Sequence, residues 1–148
     1  MIIAMATKSY LLDLNVLIAL AWPQHVHHAR AHAWFVSLSG PWMTTPLTEA
    51  GFLRLSTNPA VVTERVAMST ALGMLAAMRS VPGHSFLPDQ SSLAAPVIAL
   101  DAVATSRQVT DAHLVNLAAA SGALLATLDR GIEQMLSAND RANVVVLP

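Results

Sequence analysis

Four carboxylates interrupt apolar segments of this chain: Asp13 in YLLDLNVLIAL, Glu49 in TTPLTEAGFLRL, Asp111 in VTDAHLVNLAAASG and Asp129 in LLATLDRGI. Only nine acidic residues exist in all, so setting four of them beside core-forming sequence is an expensive arrangement. A buried charge needs a partner or a metal. The chain has eight Lys and Arg residues, and none lies beside Asp13. Clustered carboxylates repel one another and retain protons unless a cation is present. A hard divalent ion such as Mg²⁺ is the natural counter-charge. Such an ion activates a water and stabilises a phosphoryl transition state, with two ions about 3.5–4 Å apart in many nucleases. The chemistry read from these residues is metal-assisted phosphodiester hydrolysis, with RNA as the expected substrate.

The surrounding elements must bring the four together. Strand and helix signals alternate, which predicts an α/β domain with a mostly parallel central sheet of about five strands flanked by helices. The strands are expected at Ser9–Leu12, Trp42–Thr44, His84–Leu87, Ala123–Thr127 and Val144–Leu147. Helices are expected at Asn15–Ala21, His27–Leu38, from Thr45-Pro46 to Thr57, at Thr63–Arg79, Ser92–Ala104, Thr110–Ser121 and Arg130–Leu136. Thr45 and Thr110 read as N-caps, and Gly122 as a C-terminal stop. Sites in open parallel sheets form beyond the carboxyl ends of the strands. Asp13 ends the first strand and Asp129 follows the fourth. Asp111 occupies the first turn of a helix, where the macrodipole eases its charge. Glu49 sits early in its own helix. Taken singly, Asp111 reads equally as a helix-terminus acid and Asp129 as a turn residue. Asp13 is harder to set aside, because no nearby group needs a cap. The conjunction of four is the signal.

Composition sets the bounds. At 148 residues the chain is expected to be one domain, residues 1–148, with a full core. The hydrophobic fraction is 54%, and such a surplus of apolar residues is expected to cover a partner interface, a second copy included. No stretch reads as a membrane span or as a secretory leader, and there is no cysteine for a disulfide or thiolate site, so the cytoplasm is the expected location. The net charge of −1 looks poor for a nucleic-acid binder, but setting the four carboxylates aside leaves +3.

The segments LLDLNVLIAL, PLTEAGFLRL, VTDAHLVNLA and ATLDRGI, in this order from about Tyr10 to Val146, resemble the PIN-domain signature, and most of all that of VapC-type toxins. The resemblance implies a PIN-like three-layer fold and a Mg²⁺- or Mn²⁺-dependent endoribonuclease that cuts structured RNA such as tRNA or ribosomal RNA. It implies Asp13, Glu49, Asp111 and Asp129 as metal ligands, with Asn15, Thr127 and Thr110 as supporting polar groups. It also implies a cognate antitoxin that covers the site, and a homodimer. One departure is the absence of any lysine beyond Lys8, so phosphate contacts fall to arginine, backbone amides and metal.

Other residues carry two readings each. Asn15 either orients a ligand or caps the following helix. Arg54 and Arg130 either hold a phosphate or are solvated surface charges. Trp22, His25 and His28 either stack on unpaired bases or pack locally. His28 and His32 have zinc-pair spacing, but no Glu stands between them as in H-E-x-x-H and no third ligand is evident. A haloacid-dehalogenase-type phosphatase needs a second Asp where Asn15 stands, and a receiver module needs a lysine near its acids. A DNA-directed nuclease of the same type and a non-catalytic metal- and RNA-binding regulatory module are the competing readings.

Overall fold

All strand pairings in the sheet are parallel, so each return of the chain runs outside it. The computed structural model describes residues 7–62 and 65–148. The elements in chain order are β1 (Tyr10–Leu12), α1 (Leu14–Ala21), α2 (His28–Val36), β2 (Trp42–Thr44), α3 (Pro46–Ser56), α4 (Met68–Arg79), β3 (His84–Phe86), α5 (Gln108–Ala120), β4 (Leu124–Thr127), α6 (Gly131–Gln134) and β5 (Val144–Val146). The strand order is β3-β2-β1-β4-β5. The chain therefore builds outward from β1 on one side, then crosses over to β4 on the other. That reversal beside β1 is a topological switch point, where the two sets of connecting segments diverge and leave a crevice.

Side chains alternate between the two faces of the sheet. Leu11, Met43 and Leu125 face α5 and α6, meeting Leu114, Leu117, Ala118 and Ile132. Leu12, Trp42 and Ala126 face the other helices, meeting Val16, Leu17, Ala31, Phe52 and Leu75. Burial on both faces explains why the strands read as continuous apolar runs. The result is the expected three-layer arrangement around a five-stranded sheet.

Several boundaries differ from the sequence expectation. α1 starts at Leu14 because Asp13 caps it, its Oδ1 accepting the Leu14 N–H at 2.7 Å. This overturns the premise that no group near Asp13 needs a cap. α4 starts at Met68, with residues 65–67 irregular. The expected start at Thr63 lies outside the described residues. α5 starts at Gln108, so Thr110 lies inside its first turn and is not the cap. Gln108 instead ties down the loop before the helix, its Oε1 accepting from Ala104 and Thr105 N–H at 2.7 and 3.1 Å. Gly122 does terminate α5, at φ +69°. The N–H of Ala123 bonds the Ala118 carbonyl and that of Gly122 bonds Ala119, a paired closure that needs a left-handed residue.

The helix expected over Ser92–Ala104 is absent; this stretch is turns and irregular chain. Pro96 lacks an N–H and biases Ala95 away from helical backbone. Side chains of neighbouring elements take over the orphaned donors. Asn116 Oδ1, buried on α5, accepts from Val97 N–H at 2.8 Å, and Asp140 Oδ2 accepts from Ala99 N–H at 2.8 Å. His113 on α5 meets Asp89 at 2.7 Å. Replacing Asn116 with Ala should lower unfolding free energy by about 0.5–1.5 kcal/mol, the net worth of one hydrogen bond whose freed donor lies on an exposed residue. Urea titration measures the loss, and hydrogen exchange should show selective loss of protection at Val97.

Candidate active site

The site begins where β1 ends. Leu12 pairs with Ala126 in the register of β1 and β4, and the next N–H, of Asp13, bonds the Ala126 carbonyl at 2.9 Å. Asp13 thereby enters the crevice at the switch point, only 5% exposed. Its Oδ1 caps α1, as described. Its Oδ2 accepts from Thr127 Oγ1 at 2.8 Å and Asn15 Nδ2 at 3.3 Å. Thr127, wholly buried at the end of β4, receives Asn15 Nδ2 at 3.2 Å and Asp129 N–H at 3.0 Å. Asn15 Oδ1 in turn accepts from Leu128 N–H at 3.0 Å. The capping reading of Asn15 does not hold: the cap is Asp13, and Asn15 ties the end of β4 to the start of α1.

Asp129 follows β4 on an exposed turn, its Oδ1 accepting from Gly131 N–H at 2.8 Å. A Cβ at position 131 would stand 3.0 Å from that oxygen, so glycine lets the loop close tightly on the carboxylate. Asp111 comes from the α5 layer and is partly buried. Burial, then the charges of Asp13 and Asp129, push its pKa up to about 6. Burial likewise raises Asp13, against the hydrogen bonds from Thr127 and Leu14, with the charge of Asp129 adding to the rise. The three aspartates thus share one negative field.

Glu49 arrives from the opposite helix layer and answers to other partners. Its Oε2 accepts from Thr44 Oγ1 at 2.5 Å, and its Oε1 lies 3.5 Å from Arg79 Nη1. Thr44 Oγ1 also meets His84 Nε2 at 2.7 Å. Burial and the Arg79 charge lower the His84 pKa, with Glu49 opposing. Arg79 lies over the Phe86 ring, 5.0 Å from its centroid. Among the described residues, no three Asp, Glu or His side chains form a closed metal cage. The donor set nevertheless suits a hard divalent ion: it is all oxygen, and the field that raises Asp13 and Asp111 is one a cation would relieve.

The remaining sequence candidates scatter. Thr110 is exposed on α5. Arg54 and Arg130 are exposed, and neither is in an ion pair among the described residues. Trp22 is committed to packing, its indole N–H donating to Ser56 Oγ at 3.3 Å. His25 Nδ1 accepts from His27 N–H at 3.0 Å. His28 Nδ1 donates to the Ala19 carbonyl at 2.8 Å, holding α2 against α1. Sequence reading missed Thr44, His84 and Arg79. No local pattern flags them, because Thr44 and His84 are 40 residues apart and only the β2–β3 register joins them.

Residues 10–135 match the model of the PIN domain. The chain belongs to the PIN-domain family. It is 48% identical to Ribonuclease VapC39 of Mycobacterium tuberculosis over 130 residues, 86% of this chain and 94% of that protein. It is 44% identical to Ribonuclease VapC38 of the same organism over 138 residues, 93% of this chain and 96% of that protein. These relatives place this PIN domain in the VapC branch. VapBC2 from Rickettsia felis, solved bound to a DNA fragment from its promoter, shares the fold with a TM-score of 0.57 at 9% identity, over 94% of this chain and 97% of that one. Mycobacterium tuberculosis VapC20, a sarcin-ricin loop cleaving toxin, does so with a TM-score of 0.56 at 14% identity, over 94% and 99%.

The strained aspartate of this PIN domain gives a signed prediction. Asp111 titrates higher in the fold than its ordinary 3.8. The stability linked to its proton is therefore complete below that value, fades as pH rises, and is gone above about 6. In metal-free buffer at pH 7.5, Asp111→Asn should raise the melting midpoint by a few degrees. At pH 5 the gain should shrink. Thermal melts at both values check this, and an unchanged or lower midpoint at pH 7.5 would mean that the carboxylate carries no strain.

Proposed function

We propose that this chain is the toxin component of a type II toxin–antitoxin pair and a Mg²⁺- or Mn²⁺-dependent endoribonuclease acting on structured RNA, tRNA or ribosomal RNA. The observation that carries the reading is the gathering of Asp13, Asp111 and Asp129 at the switch-point crevice, where burial and neighbouring negative charge hold Asp13 and Asp111 above the usual carboxylate range. The ribonuclease names of relatives at 48% and 44% identity support it. Asp13, Glu49, Asp111 and Asp129 would hold the divalent ion. When bound, the ion would supply an activated water and charge stabilisation at the scissile phosphate.

The chain's own residues do the rest. Thr127 and Asn15 fix the orientation of Asp13, so its oxygens need no reorganisation when a cation arrives. Asp111 and Asp129, less enclosed, complete the oxygen donors from two further segments. With no lysine past Lys8, the exposed Arg54 and Arg130 are the cations offered to the RNA backbone. The histidine and tryptophan contacts expected from sequence are the weaker part of the interface, because Trp22 and His28 already bond within the protein.

A cognate antitoxin would cover this negative crevice, with a cation of its own as the matching group. A homodimer is supported by Met68 and Leu72, exposed one turn apart on α4. The place of action proposed is the cytoplasm, where its RNA substrates are; among the described residues no helix is long and apolar enough to cross a membrane.

The test is cleavage of total tRNA and ribosomal RNA by the purified chain with Mg²⁺, with Mn²⁺ and with EDTA, beside Asp13→Asn. Discrete fragments should form only with metal. Asp13→Asn should slow their formation by about 100-fold or more, the scale of losing a transition-state stabiliser. Cleavage of DNA alone would favour a DNA-directed nuclease. Tight RNA binding without cleavage would leave a regulatory binding module.

A further inference from the structure

Thr44 ends β2 at the carboxyl rim and is wholly buried. Its hydroxyl touches Glu49 Oε2 at 2.5 Å and His84 Nε2 at 2.7 Å. A hydroxyl has one proton to give, and an ionised carboxylate only accepts. The Thr44 proton therefore goes to Glu49, and the short distance marks a charge-assisted bond. His84 must then donate its Nε2 proton to Thr44, leaving Nδ1 bare. Donation runs one way, from His84 through Thr44 to Glu49.

Each donor is held in place. The β2–β3 register sets Trp42 beside His84 and Thr44 beside Phe86, so these side chains share one face. The His84 ring lies edge-on to Trp42, with centroids 4.7 Å apart. The Trp42 indole N–H is itself anchored on the Pro82 carbonyl at 3.3 Å. Thr44 is β-branched, which restricts its rotamers. Arg79, by contrast, approaches the other Glu49 oxygen from a side chain 44% exposed, at 3.5 Å. Only one end of the carboxylate is firmly gripped.

We propose that Thr44 and His84 are positioning residues that orient Glu49 for its part in the site. They fix Oε2 and leave Oε1 as the oxygen able to exchange Arg79 for another cation. This rests on the reading of Glu49 as a metal ligand. Neither residue touches the reacting atoms, so their effect passes through Glu49. Partners of metal ligands carry about 10–100-fold in affinity or activity.

The experiment compares Thr44→Val, which keeps the shape and loses the hydroxyl, with Thr44→Ser, which restores it, and with Asp13→Asn. Mn²⁺ binding without RNA is read by electron paramagnetic resonance, RNA cleavage by gel, and the His84 tautomer of the metal-free protein by nitrogen-15 correlation spectra. Thr44→Val should weaken Mn²⁺ binding and slow cleavage by about 10–100-fold, and Thr44→Ser should recover most of both. His84 should carry its proton on Nε2. A folded Thr44→Val that binds and cleaves like the parent overturns the inference, as does an Nδ1 proton on His84. Should Thr44→Val fail to fold, His84→Leu carries the same expectation from the less buried end. If Asp13→Asn also binds Mn²⁺ and cleaves normally, the metal-site reading itself has failed, and this inference falls with it.

Discussion

Negative charge gathered without its counter-ion is the constraint around which the rest of the molecule is arranged. Asp13 is almost fully enclosed, and Asp111 is pushed toward neutrality by burial and by its two aspartate neighbours. No basic side chain pairs with any of these three among the described residues. A protein selected only for stability would place apolar or neutral groups there. The fold instead surrounds Asp13 with a helix N-terminus, a threonine hydroxyl and an asparagine amide. These dipoles reduce the strain without removing it, and the remaining field is what a divalent ion can use.

The three aspartates and Glu49 meet the cost of their charge differently. Asp13, Asp111 and Asp129 are left close enough to feel one another's charge, with Asp13 and Asp129 tied to backbone N–H donors. On the α3 side Glu49 has an arginine as well as a hydroxyl. The aspartates pair with no basic side chain among the described residues, while Glu49 already has one. That asymmetry follows from topology: β1 and β4 meet at the switch point, whereas β2 lies further out and receives its support from the edge strand β3.

Much of this was legible in the chain. The apolar strands, the Pro46 helix start and the Gly122 stop are local signals, and each is found in place. The convergence of Asp13, Asp111 and Asp129 followed from a general rule about parallel sheets. The failures have physical causes. Ser92–Ala104 has helical composition, but Pro96 and donors satisfied by Asn116 and Asp140 keep it irregular. Thr110 has the right type for a cap, but α5 already begins at Gln108, two residues before it. Asp13 was read as chemistry alone when the Leu-Asp-Leu-Asn pattern also marked a helix start. The Thr44–His84 link was invisible because it is a matter of register across two strands, not of spacing along one.

The strand order has a temporal meaning as well. Asp13 is made early, yet the hydroxyl that holds it belongs to Thr127, 114 residues later. At ~5–20 residues per second of synthesis, the growing chain waits on the order of ten seconds between the two. Until β4 inserts beside β1, Asp13 has neither Thr127 to steady it nor Asp129 beside it. Contacts of such sequence separation also form late in folding. A site laid out in this way assembles only once most of the chain exists, an order of events written into the sequence positions of its strands.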